Sequence, residues 1–218
     1  MIVIGFLNPK GGCGKTTLAT NLAKALYLDG YSVLAVDSDP QGTLRDWYGA
    51  QDEDADGPDM AALDAKAITR GLKRIGNGYD IVLIDGAAKI EVKDSVNLVK
   101  ACDVVLIPVQ PTPADIWGAG DLVEIIQARQ AVTDGSPLAA FVISRQIVGT
   151  KLAEGIAGVL EEFDLPVFRS RTSQRVIYAE SMIHGSSVVD SEPRGKAAGE
   201  IRAITNELLE LLNGEERI

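Results

Sequence analysis

Basic residues are scarce in this chain: 21 lysines and arginines stand against 31 aspartates and glutamates, a net charge of −10. That balance disfavours a protein coated with nucleic acid over most of its surface, so any DNA contact is confined to a local patch. Cysteine is scarcer still. Cys13 and Cys102 have no CxxC or CxxxH spacing, which argues against a disulfide framework or a zinc knuckle and fits a reducing cytoplasm. The opening apolar run, Ile2 to Leu7, lacks a basic stretch before it and a small-residue cleavage site after it. It is far too short for a signal segment or a membrane span and reads as a buried strand. No internal repeat and no low-complexity segment occurs.

What is present is ordinary globular composition, with 46% hydrophobic and 24% charged residues over 218 positions, enough for one domain spanning residues 1–218. Runs rich in Val and Ile recur at Ile2 to Leu7, Ser32 to Val36, Ile81 to Ile84, Val104 to Val109 and Ala139 to Ile143. Continuous apolar runs of this length suit strands buried on both faces of a parallel sheet. Helical patterns lie between and after them, at Lys15 to Leu28, Ala61 to Ile75, Lys93 to Lys100, Asp115 to Ala131, Leu152 to Glu162 and Gly195 to Leu212. The alternation predicts an α/β fold, a doubly wound and mostly parallel sheet flanked by helices. Gln51 to Asp59 is acidic, contains Gly57 and Pro58, and reads as an exposed loop.

Chemistry concentrates after the first run. Lys10-Gly11-Gly12-Cys13-Gly14-Lys15-Thr16-Thr17 joins a strand to a helix, the context a phosphate-binding loop requires. Gly11, Gly12, Cys13, Gly14 and Thr17 supply backbone amides beside a helix N-terminus, Lys15 reaches the β and γ phosphates, and Thr16 offers a hydroxyl to Mg²⁺. Pro9 occupies the place where the usual pattern has its first glycine. Ile81 to Ile84 ends in Asp85, the form of a Walker B strand whose carboxylate supports Mg²⁺. Asp37-Ser38-Asp39-Pro40-Gln41 follows the second run, at the strand end where parallel α/β proteins bind ligands. Two carboxylates this close at one strand end can divide the work, one holding a metal-bound water while the other lies nearer the attacking water.

In their order, FLNPKGGCGKTT, AVDSDPQGTLRDW, IVLIDGA, DVVLIPVQPTPADIWGAG and FRSRTSQRVIYAESMIHGSSV resemble the ParA/MinD group of deviant Walker A ATPases, and most of all its short ParF-like partition members. The resemblance covers nearly the whole chain. It implies a P-loop NTPase fold, ATP and Mg²⁺ as cofactors, and an ATP-bound sandwich dimer in which Lys10 reaches the partner's nucleotide. By the same resemblance Asp37 belongs to the Mg²⁺ sphere, Asp39 positions the hydrolytic water, Gly86 to Ala88 form the second switch, and purine contacts fall near Pro108 to Pro113, Pro111 among them, and in the later loops. The implied activity is a slow ATPase, stimulated by a ParB- or ParG-like centromere-binding protein, that segregates a plasmid or chromosome, with higher assemblies also known in the group. The P-loop begins so near residue 1 that no operator-binding helix-turn-helix is expected before it.

Arg169, Arg171, Arg175, Arg194 and Lys196 could form a patch for DNA phosphates, or a solvated loop with internal ion pairs. A membrane-targeting tail is not expected, because Glu207, Glu210, Glu215 and Glu216 outnumber Arg202 and Arg217. Cys13 sits within the P-loop, which leaves Cys102 alone and argues against an iron–sulfur cluster shared between subunits. His184 reads as a surface or packing residue; Trp47 and Trp117 read either as core or as neighbours of a dimer face. A nucleotide-dependent positioning switch or scaffold that ignores DNA shares the same site, and so, more distantly, does a P-loop ligase.

Overall fold

A computed structural model describes residues 1–88 and 91–214, with backbone alone for 151–154. Its six strands are β1 (Ile2–Phe6), β2 (Val33–Asp37), β3 (Asp59–Ala62), β4 (Ile81–Asp85), β5 (Val104–Val109) and β6 (Leu138–Ile143). The helices among the described residues are α1 (Lys15–Leu28), α2 (Thr43–Gly49), α3 (Ile68–Ile75), α4 (Val92–Ala101), α5 (Pro113–Trp117), α6 (Gly120–Gln130), α7 (Lys151–Glu161), α8 (Ile177–Ile183), α9 (Val188–Ser191) and α10 (Lys196–Gly214).

All strand pairs are parallel, in the order β3-β2-β4-β1-β5-β6. Parallel strands need crossover connections, and the helices that supply them cover both faces, so β2, β4 and β5 are buried at every residue. One core packs Phe6, Leu18, Leu22, Leu83 and Leu106 against Ile201, Ile204 and Leu208 of α10. The opposite core joins Val36, Ile84, Val105 and Phe141 to Leu72, Leu98 and Ile126 of α3, α4 and α6. The chain leaves β1 toward β2 on one side and later crosses to β5 on the other. The C-terminal ends of β1, β4 and β5 therefore surround the crevice where open α/β sheets bind ligands.

Three local features depart from the sequence expectations. The predicted helix Ala61 to Ile75 starts only at Ile68, because Asp59–Ala62 adds an edge strand to β2, with Leu34 opposite Asp59 and Asp37 opposite Ala62. Backbone pairing with an existing strand overrides the helix preference of alanine there. The predicted helix Asp115 to Ala131 is two helices, broken at Gly118 and Ala119, and Thr112 caps the first through a 3.2 Å bond from the Asp115 amide. Short helices α2, α8 and α9, of seven, seven and four residues, have no expected counterpart. The acidic stretch before β3 is loop, as predicted, and no described helix is long and apolar enough to cross a membrane. Glu215, Glu216 and Arg217 of the predicted tail lie outside the described residues.

Candidate nucleotide site

The loop between β1 and α1 is held from several sides. Asn8 donates to the Pro108 carbonyl of β5 at 2.7 Å and accepts from the Lys10 amide at 2.8 Å, which fixes the start of the loop to the neighbouring strand. Gln110 Nε2 donates to the Gly12 carbonyl at 2.7 Å, and Arg145 Nη1 reaches the same oxygen at 3.3 Å. Gly14 has φ +100°, and a Cβ there would sit 2.3 Å from Ser144 Oγ, so glycine is required on both counts. Gly11 and Gly12 remain exposed at the mouth of the loop.

Lys15 is 7% exposed and its Nζ donates to the Lys10 carbonyl at 2.9 Å, curled back inside the loop that it is expected to share with phosphates. Cys13 Sγ lies 3.9 Å from that ammonium and also donates to the Lys10 carbonyl. Burial pushes the Cys13 thiol up, and Lys15 only partly offsets it. This cysteine is therefore a packed thiol rather than a nucleophile. Cys102 is likewise buried, with its thiol pushed up by desolvation.

Two of the three predicted metal residues meet directly. Thr16 Oγ1 donates to Asp85 Oδ2 at 2.7 Å, while Asp85 Oδ1 is buried without any partner. Burial pushes the Asp85 carboxyl up to about 7; the Thr16 bond opposes the shift, Asp37 adds to it, Lys15 opposes it and Asp39 adds to it. A buried carboxylate with an orphan oxygen beside a hydroxyl fits a hydrated cation, which would supply the missing charge. Thr16 and Asp85 are the residues that would hold Mg²⁺, whose role when bound is to neutralise phosphate charge.

Asp37, the third, is paired in register with Asp85 across β2 and β4, but its carboxylate is turned to other work. Its Oδ1 accepts from the Asp39 amide at 2.9 Å, and its Oδ2 accepts both the amide and Nε of Arg45, at 3.0 and 3.1 Å. Asp39 is half-buried and accepts from the Gln41 amide at 2.9 Å. Pro111 is buried just beyond the end of β5. Ala87 and Ala88 follow β4 at the same sheet edge.

The basic cluster is differently disposed. Arg175 is committed inward, with Nη2 and Nε 2.7 and 3.1 Å from Glu200 Oε1, and Glu200 also accepts from the Ser173 amide and the Tyr178 hydroxyl. Arg169 is 86% exposed, with Glu207 and Glu210 at 3.8 Å; Arg171 bonds the Arg169 carbonyl and Gln146, and Lys196 is exposed. Trp47 belongs to the core and donates to the Ser186 carbonyl at 2.9 Å, whereas Trp117 is 77% exposed and His184 lies at the surface.

Arg45, Asn8, Gln110 and Arg145 are site residues that sequence inspection missed. Arg145 carries a visible structural signal, a non-glycine φ of +55° at the end of β6. In the sequence it is only one more arginine.

A sequence model of the CobQ/CobB/MinD/ParA nucleotide binding domain matches residues 4–188. The chain is 32% identical over 205 residues to maintenance of carboxysome distribution protein A of Halothiobacillus neapolitanus, covering 93% of this chain and 94% of that one. It is 27% identical over 236 residues to the chromosome-partitioning ATPase Soj of Thermus thermophilus, covering 94% of each. Among solved structures, the ATP complex of a Cyanothece McdA variant shares the fold with a TM-score of 0.77 at 17% identity, covering 98% of this chain and 96% of that one. On this match and this geometry, the chain belongs to the CobQ/CobB/MinD/ParA nucleotide-binding family, as a P-loop ATPase of ParA/MinD type.

Proposed function

We propose that this protein is a partition-type ATPase: ATP binding drives sandwich dimerisation or assembly, and slow hydrolysis, stimulated by a cargo-bound partner, resets it. The observation that carries the reading is the Thr16–Asp85 pair, with its orphan carboxylate oxygen, placed directly behind the glycine-rich loop. Lys15 exchanges the Lys10 carbonyl for the β and γ phosphates, Lys10 serves the partner's nucleotide, and Asp39 orients the attacking water. Gly11, Gly12, Cys13, Gly14 and Thr17 bring backbone amides to the phosphates, a favourable place for negative charge at the start of α1. A cation supplied across the interface is held by γ-phosphate charge, so nucleotide state and dimerisation reinforce one another.

The cargo in the first reading is DNA, a plasmid or chromosome engaged through a ParB- or ParG-like protein, with the chain itself cytoplasmic and associated with the nucleoid; the 27% identity to Soj favours it. The likeness to a carboxysome distribution protein favours a second reading, in which the same cycle distributes a non-DNA body. The acids that pair with Arg169 and Arg175 also lean that way, since they occupy cations a DNA backbone would need.

The deciding experiment is ATP turnover, with and without nonspecific DNA and a candidate partner, alongside molecular mass by light scattering. Slow turnover, an ATP-dependent dimer and joint stimulation support DNA partition, while turnover indifferent to DNA supports the second reading. Lys15→Ala is the control, because the phosphates lose their principal cation. Unchanged nucleotide binding in that variant would remove the ATPase reading altogether.

A further inference from the structure

We propose that Arg45 is a positioning residue for the hydrolytic step, fixing Asp39 through the backbone on which Asp39 is carried; the inference rests on the ATPase reading above. Asp39 is bonded at three points. Its amide donates to Asp37 Oδ1 at 2.9 Å, its carboxylate accepts from the Gln41 amide at 2.9 Å, and its carbonyl accepts from the Gly42 amide at 3.0 Å and from Arg45 Nη2 at 2.9 Å. Arg45 closes the circuit, because Nε of the same guanidinium donates to Asp37 Oδ2 at 3.1 Å. One planar group thus spans the carboxylate before Asp39 and the carbonyl after its side chain.

Local sequence explains why arginine can do this. Residue 42 is the N-cap of α2 and, being glycine, has no side chain to cap it; Asp37 supplies the missing acceptor by taking the Arg45 amide at 3.0 Å. Gly42 has φ +75°, and a Cβ there would lie 2.9 Å from Arg45 Nη2 and 3.1 Å from its Cζ. Glycine therefore gives the turn its left-handed conformation and lets the guanidinium lie flat against it. Asp37, Asp39 and Asp85 bring three carboxylates near one another, and Arg45 is the cation that bridges the Asp37 side of that group. Removing it leaves the buried Asp37 carboxylate without a counter-charge and frees the Asp39 carbonyl. The segment then has reason to swing away from its neighbours. Lysine keeps the charge but cannot span both acceptors with a single ammonium.

The test uses the whole chain with Arg45→Ala and Arg45→Lys. Binding of a fluorescent ATP analogue with Mg²⁺ gives affinity, steady-state assays give kcat and KM, and hydrogen exchange of the nucleotide-free protein reads the anchor directly. Expected for Arg45→Ala is a kcat loss of roughly 10- to 100-fold, the scale of a misplaced catalytic group, with affinity within about threefold of wild type. Arg45→Lys should fall between. Amides of Asp39, Gln41 and Gly42 should exchange faster in Arg45→Ala, while those of β2 should not. Turnover within about twofold of wild type overturns the inference, as does a parallel loss of affinity and turnover with β2 exchanging faster. A wild-type chain that hydrolyses no ATP overturns the ATPase reading and this inference together. A hydrolysing wild type with an indifferent Arg45→Ala overturns the inference alone.

Discussion

Thr16 and Asp85, 69 positions apart in sequence, are joined by a 2.7 Å hydrogen bond whose acceptor has its second oxygen buried and unpartnered. Ionising this buried carboxylate carries a desolvation penalty that a bound cation would offset. Asp85 is raised from 3.8 to about 7 chiefly by desolvation, so the folded chain holds this proton more tightly than the unfolded chain does. Below about pH 4 the residue is protonated in both states and adds no charge penalty. Between about pH 4 and 7 the unfolded chain ionises while the folded chain keeps the proton, so stability falls across that window and levels off once both are ionised. Asp85→Asn should therefore stabilise the nucleotide-free protein more at pH 8 than at pH 5, by about 1–3 kcal/mol at the higher pH. Urea unfolding at both pH values measures the difference, and equal gains at the two would show that Asp85 is not the titrating group.

Asp39→Ala should preserve ATP binding and slow hydrolysis by about 100-fold or more, the range for loss of a general base or water-orienting group. Stability should fall by only about 0.5–1.5 kcal/mol, because the substitution removes a single bond, from the Gln41 amide. With ATP present the variant should accumulate as a dimer in light scattering. Normal turnover would move the water-positioning role to another residue.

How far the sequence reached is clearest at these positions. Lys15 and Thr16 stand out in the sequence because they close a glycine-rich turn between an apolar run and a helical pattern, and Asp85 because it ends an apolar run; the parallel topology carries β1 and β4 to one edge. The continuous apolar runs, being a core property, correspond to β2, β4 and β5, which are buried at every residue. Arg45 was not identifiable. Its importance depends on α2, a seven-residue helix too short to leave a periodic signal, and on a turn at Gly42 that only coordinates reveal. Asp37 is expected from the sequence to be a site residue, but its commitment to Arg45 and to the Asp39 amide depends on side-chain directions that spacing does not encode. The edge strand β3 was missed for the same reason: DMAA has weak strand character, and pairing with β2 decides its conformation.

Lys10→Ala should weaken ATP-dependent dimerisation by more than it weakens nucleotide binding. The backbone of Lys10 is held at both ends, by Asn8 at the amide and by Lys15 at the carbonyl, so truncating the side chain should leave the loop in place. Among the described residues no hydrogen bond or ion pair engages its ammonium, which leaves it available to a second subunit. Losing one charge-assisted contact in each half of a twofold dimer should raise the dissociation constant by roughly 10-fold or more. Analytical ultracentrifugation with ATP gives this value, and an unchanged dimer would reject the cross-interface role.

Arg169 and Arg175 belong to the same basic cluster, yet their surroundings predict opposite behaviour on truncation. Arg175 makes two bonds to Glu200, which is itself half-buried and also accepts from Ser173 and Tyr178. Arg175→Ala removes the charge that balances this hub and should cost about 1–3 kcal/mol of stability. Arg169 is exposed and its acidic neighbours are 3.8 Å away, so Arg169→Ala should change stability by less than about 0.5 kcal/mol. DNA binding separates the remaining possibilities. If the outer arginines meet phosphates, Arg169→Ala should weaken ATP-dependent DNA binding and reduce its salt slope by about one, with the melting curve unchanged. If only Arg175→Ala weakens DNA binding, and does so together with stability, the cluster is an internal brace between α10 and the strip before α8, and any DNA surface lies elsewhere.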